Sequence, residues 1–205
     1  IGEDGPSQLG IEDVALACAL PGFVVVVPCD APATRAATRA LHRHPGPGYL
    51  RLGRPKVPVV YEDASLLEGF ALGRAIRLRD GDDLTIVANG ILVAAALEAA
   101  EALAARGIRA RVLDMHTVKP IDVEALDAAA RETGALVVAE EHLAAGGLGA
   151  QVAAALAATR PAPVEFVNLG DRYAESGKPE ELLEKYGLAA RHVAHAAERA
   201  LARKG

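Results

Sequence analysis

Near the amino end, Gly2-Glu3-Asp4-Gly5-Pro6-Ser7 sets Asp4 among two glycines and a proline, just ahead of a helix opening at Ile11-Glu12-Asp13. The glycines accept unusual backbone angles while Pro6 fixes its own, so the run can present Asp4 rigidly to a ligand; the same residues also make an ordinary turn. Arg54 is the second residue that could do chemistry. Strand alternation along Tyr49 to Arg54 puts Leu50, Leu52 and Arg54 on one side, so a charge arrives where the apolar face runs out. The carboxyl end of a strand is where open α/β sheets bind ligands, and a guanidinium fork suits a phosphate or a carboxylate. A surface salt bridge is the plainer role for the same arginine. Arg51 faces the other way and is expected to pair structurally.

Three further groups suggest chemistry less strongly. Glu140-Glu141-His142 precedes Gly146-Gly147-Leu148-Gly149, but the spacing matches neither the HExxH metal pattern nor a phosphate loop, which leaves a satisfied structural cluster as the reading. His116 follows a strand and could titrate near neutrality, or be held by a hydrogen bond in a loop. Ser176-Gly177 stands ahead of Pro179-Glu180-Glu181, where helix capping accounts for it.

The elements that must position these residues alternate. A helix over Ile11 to Leu20 stops at Pro21-Gly22, and the apolar run Phe23 to Val27 has the pattern of a strand buried on both faces of a parallel sheet. Asp30 caps a helix from Ala31 to His42, and Tyr49 to Leu52 is a second strand. After a weakly patterned stretch, strands are predicted at Arg74 to Leu78, Leu84 to Ala88, Ala110 to Leu113, Ala135 to Ala139 and Val164 to Leu169. Helices over Ile91 to Arg106, Val123 to Thr133, Leu148 to Thr159, Pro179 to Tyr186 and Ala190 to Arg203 fall between and after them, with Gly134 as a C-cap. The fold class is therefore α/β: a truncated parallel-sheet module over residues 1–60, a linker over 61–73 and a separate α/β domain over 74–205. The catalytic-looking loop lies against the first residue, an isoleucine, so further sequence is expected upstream.

With 205 residues, of which 51% are hydrophobic, the chain can bury a sizeable core, yet no apolar run approaches the roughly 18 residues that cross a bilayer. A net charge of −5 with interleaved signs argues against nucleic acid or an anionic membrane as partner. Two cysteines without CxxC spacing suggest neither a metal site nor a disulfide framework, and a reducing compartment, the cytoplasm, is the expectation.

Taken together, Gly2 to Ser7, Ile11-Glu12-Asp13 through Gly22, Tyr49 to Pro58, Met115 to Asp122, Glu140 to Gly149 and Glu175-Ser176-Gly177 resemble, in order, the C-terminal part of a transketolase, specifically the C-terminal subunit of the split-gene form. The resemblance implies that residues up to about 60 are the later part of a thiamine diphosphate pyrimidine-binding module and the remainder the transketolase C-terminal domain. It implies ketol transfer from a ketose phosphate to an aldose phosphate. Asp4 then matches an aspartate that hydrogen-bonds sugar hydroxyls, and Arg54 an arginine that holds the substrate phosphate. Gln8 stands where the family usually carries a histidine near the reacting carbons, and glutamine cannot shuttle a proton. The cofactor-activating glutamate is expected upstream. The diphosphate and its Mg2+ (or Ca2+) are expected on an N-terminal partner subunit, in a two-plus-two assembly, with no metal ligand on this chain and no activity without the partner. A related thiamine enzyme, of the 1-deoxyxylulose-5-phosphate synthase or 2-oxoacid dehydrogenase beta type, and a noncatalytic structural or regulatory paralogue are the alternatives.

Overall fold

β-Branched valines suit a strand covered on both faces, and the run at 23–27 becomes the centre of a small sheet. The computed structural model describes residues 2–204; Ile1 and Gly205, the outer ends of the two expected units, lie outside them. Helix α1 (Asp13–Ala19) leads into β1 (Val24–Val26), whose three side chains are all buried. Helix α2 (Ala31–Arg43) is opened by Asp30, whose Oδ1 accepts the Ala33 amide at 2.8 Å. Strand β2 (Gly48–Leu50) then lies parallel to β1.

Residues 61–73 hold one short 3-10 turn at Ala64–Leu67, but their start is pinned. Asp30 Oδ2 accepts the amides of Val60 and Tyr61 at 2.8 and 2.9 Å, and the buried Tyr61 hydroxyl donates to Asp114 Oδ2 at 2.7 Å.

The second sheet is built from β3 (Ile76–Arg79), β4 (Leu84–Ala88), β5 (Ala110–Asp114), β7 (Leu136–Ala139) and β8 (Val164–Val167), in the order β3-β5-β4-β7-β8. All pairings are parallel except the edge strand β3 against β5. Crossovers run through α3 (Leu92–Ala104), α4 (Val123–Thr133) and α5 (Leu148–Ala158), and α6 (Pro179–Lys185) and α7 (Ala190–Ala202) close the chain. Alternation sorts β4 between two cores: Leu84, Ile86 and Ala88 pack with residues of α3 and α7, and Val87 with those of α4 and α5. Helix α4 ends at Gly134 with φ 71°, the left-handed cap that glycine alone adopts without a Cβ penalty. Among the described residues no helix is long and apolar enough to cross a membrane.

Three features depart from the sequence-based expectations. Strand β6 (Thr117–Lys119) was not predicted; it pairs antiparallel with β1, so the first sheet runs β2-β1-β6 and borrows a strand from the far side of the linker. Strand β2 ends at Leu50, so Arg54 sits in the loop beyond the sheet and its direction is set there, not by strand alternation. Ser176 does not cap α6: the cap is Lys178, which makes no side-chain capping bond, while Pro179, Glu180 and Glu181 fill the first turn as expected. Ser176 instead bridges to Gly2.

Candidate functional site

The amino-terminal loop winds as consecutive turns. The Gly5 amide donates to the Gly2 carbonyl at 3.3 Å, and the Gln8 and Leu9 amides donate to the Gly5 carbonyl at 3.1 and 3.0 Å. Gly5 has φ +74°, a conformation that a residue with a Cβ rarely adopts. These turns carry Asp4 toward the loop beyond β2, where Arg54 Nε donates to Asp4 Oδ2 at 3.0 Å. Both side chains remain open to water, at 65% for Arg54 and 44% for Asp4. Gln8 and Arg54 line one cavity of about 220 Å3, together with Asp13, Tyr49, Arg51 and Glu141.

Arg51 and Arg54 have the same chemistry and opposite fates. Arg51 is committed: Nε lies 3.2 Å from Asp13 Oδ2, Nη1 donates to Glu141 at 3.1 Å and Nη2 to the Gly10 carbonyl at 3.1 Å, with the side chain 12% exposed. The Tyr49 hydroxyl adds a 2.7 Å bond to Asp13. Burial, and then the bond to Asp13, pushes the Tyr49 hydroxyl pKa up to about 12, so this phenol stays a proton donor at neutral pH. Arg54 has one exposed carboxylate partner, and such pairs contribute roughly 0–1 kcal/mol. Exchanging that partner for a ligand anion therefore costs little, whereas opening the Arg51 network would take a shared cation from two carboxylates.

The Glu140–His142 cluster is structural. Glu140 accepts the Leu148 and Gly149 amides at 2.6 and 2.8 Å, closing the start of α5 where a negative group is favoured. His142 Nδ1 faces its neighbour's carbonyl, Leu143 O, at 2.9 Å, and Nε2 accepts the Ala15 amide at 3.3 Å, which ties α1 to the second sheet. His116 is fully buried, stacked on Phe70 with ring centroids 4.0 Å apart and bonded to Thr117 Oγ1 at 2.9 Å. Burial pulls its pKa down to about 4, so it stays neutral and does not act as a surface proton relay. Among the described residues no group of three or more His, Cys, Asp or Glu is placed to hold a metal ion.

Sequence reasoning missed Asp13 as part of the cavity wall, taking it only as part of a helix opening. The signal was present in part: Tyr49 and Arg51, two residues apart, are donors that call for an acid.

Comparison with known proteins finds two family models on the chain. Residues 1–59 match the transketolase pyrimidine binding domain, and residues 73–193 match the transketolase C-terminal domain. The chain is 43% identical over 202 residues to the 6-deoxy-6-sulfo-D-fructose transketolase subunit SqwH of a Clostridium species, covering 98% of this chain and 62% of that protein. It is 43% identical over 184 residues to one of the subunits of the apulose-4-phosphate transketolase of Phocaeicola vulgatus, covering 90% of this chain and 58% of that protein. A solved structure described as a split gene transketolase, inactive beta4 tetramer, superposes with a TM-score of 0.92 at 49% identity, over 98% of this chain and 65% of that one. The chain thus spans about three fifths of the relatives named here. Two domain matches in the family's order, laid over an α/β fold of largely parallel strands, place this chain in the transketolase family.

Proposed function

We propose that the chain is the C-terminal component of a thiamine diphosphate-dependent transketolase that takes a two-carbon ketol unit from a ketose with an anionic end group and passes it to an aldose. The observation that carries this reading is the convergence of Asp4 and Arg54 at 3.0 Å beside a cavity that Gln8 also lines. Arg54 offers its fork to the terminal phosphate or sulfonate, and the incoming anion takes the place of Asp4. Asp4, released but still near, accepts from sugar hydroxyls. Gln8 donates and accepts beside the reacting carbons without carrying a proton. The relatives' names include a sulfo-sugar and a sugar phosphate, and a guanidinium serves both.

In this reading residues 1–60 belong to the pyrimidine-binding module, 61–73 connect, and 74–205 form the C-terminal domain. The cofactor, when bound, supplies the electron sink for carbon–carbon cleavage. The diphosphate and its Mg2+ (or Ca2+) are assigned, by the family resemblance, to an N-terminal partner subunit. Two copies of each subunit form the working assembly in the cytoplasm, and this chain alone is inactive.

The test combines the natural full-length protein with its N-terminal partner, thiamine diphosphate and Mg2+, and compares a phosphorylated ketose, a sulfonated ketose and pyruvate as donors. Ketol transfer from either ketose, with a raised KM in Arg54→Ala, supports the assignment. Decarboxylation of pyruvate with no transfer from any ketose would move the protein to a neighbouring thiamine enzyme class.

A further inference from the structure

Glu3, Asp4, Pro6, Ser7 and Gln8 are all exposed, so the loop that carries Asp4 has little side-chain anchorage of its own. Its two buried residues are glycines, Gly2 and Gly5, and both are held by Ser176-Gly177 from the opposite end of the chain. Gly2 forms a parallel bridge with Ser176, and its carbonyl accepts the Gly177 amide at 3.4 Å as well as the Gly5 amide at 3.3 Å. At Gly5 a Cβ would run into the Ser176 hydroxyl. The Gly5 carbonyl in turn receives the Gln8 and Leu9 amides, so whatever fixes Gly5 also fixes Gln8.

The other side of this contact is mounted on α6. Gly177 lies against Leu182, a core residue 4% exposed, so closely that a Cβ would sit 3.0 Å from its methyl carbon. Glu175 is held by an ion pair with Lys185 and by the Tyr186 hydroxyl at 3.3 Å. The Tyr186 ring itself lies under the Arg172 guanidinium, 4.9 Å from its centre. A loop tied in this way to a packed helix is a firm support.

We propose that Ser176-Gly177 of the C-terminal domain is a positioning clamp for the substrate loop, holding Gly2 and Gly5 so that Asp4 faces Arg54 and Gln8 faces the cavity. The clamp gives the C-terminal domain a direct part in substrate affinity, and this part rests on the reading of Asp4, Gln8 and Arg54 as substrate contacts. Ser176 and Gly177 touch no reacting atom; they act through the loop.

The experiment uses the full-length protein in its assembled enzyme and reads hydrogen exchange of the peptide covering residues 2–9 beside steady-state kinetics. Ser176→Leu, which crowds Gly5, is expected to speed exchange in that peptide and raise KM for the anionic ketose about tenfold, with kcat changed less than about threefold. Gly177→Ala, which presses the clamp against Leu182, should do the same. Unchanged exchange at 2–9 in both variants overturns the clamp. Faster exchange without a change in KM, while Arg54→Ala still raises KM, overturns its link to affinity. If Arg54→Ala also leaves KM unchanged, the substrate assignment itself has failed, and the affinity role falls with it.

Discussion

Arg51 and Arg54 stand three positions apart, yet their removal should be felt in different experiments. Arg51→Ala would take the shared cation from Asp13 and Glu141 in a largely dry setting; losing a charged hydrogen-bond partner there costs about 2–3 kcal/mol. Urea unfolding should show a loss of that order for Arg51→Ala and a change within about 1 kcal/mol for Arg54→Ala, whose pair is exposed. Equal losses at the two positions would mean that the Arg51 network is not the structural element its geometry indicates. The distinction was not legible from alternation along Tyr49 to Arg54, because the strand ends at Leu50 and the loop beyond it sets both guanidiniums. Their partners were not legible: Glu141 lies 90 positions from Arg51, and only the fold brings it near. Ser176 shows the same limit. A serine before a Pro-Glu-Glu helix start reads locally as a cap, and only the tertiary bridge to Gly2 reveals its other engagement.

Among the elements, the buried strands and long helices were readable because each has its own period or cap: the valine run of β1, the Asp30 opening of α2, the Gly134 close of α4. Strand β6 was not, since three residues between His116 and Pro120 are too few to show alternation and are strand only because β1 lies alongside. Asp30 does more than its capping signature suggests. One oxygen closes α2 and the other takes two amides of the connecting segment, so helix start and linker start share a single carboxylate. Asp30→Ala should therefore cost more than an ordinary cap, about 2–4 kcal/mol against roughly 1 for a cap alone, as measured by chemical denaturation. A loss no greater than that of a simple cap would show that Val60 and Tyr61 find other acceptors.

At the scale of the whole molecule, the two units meet around Asp114, at the end of β5. The carboxyl is fully buried, accepts the Tyr61 hydroxyl at 2.7 Å and faces the Cys29 thiol at 3.7 Å, with Oδ1 without a hydrogen-bond partner. Burial pushes its pKa up to about 7; the bonds from Tyr61 and Cys29 pull the other way, and Asp30 adds to the rise. The native carboxyl therefore keeps its proton to a higher pH than the unfolded one, whose value is near 3.8. Between those two values the native state binds more protons, so this group's contribution to stability falls as pH rises from about 4 to about 7 and is gone above that. Asp114→Asn, uncharged throughout, should flatten that part of a plot of urea midpoint against pH. A slope identical to the parent's would place the titration elsewhere.

The borrowed strand has an architectural consequence. Because Thr117–Lys119 completes a sheet begun by Val24–Val26, nearly a hundred residues earlier, the chain is threaded back through its own first half. A scissor cut anywhere along 61–73 would not yield two self-sufficient pieces. One would keep a ribbon with a bare flank, the other a stray segment with nothing to lie against, so modules of this kind should be exchanged between relatives only as the interlaced pair.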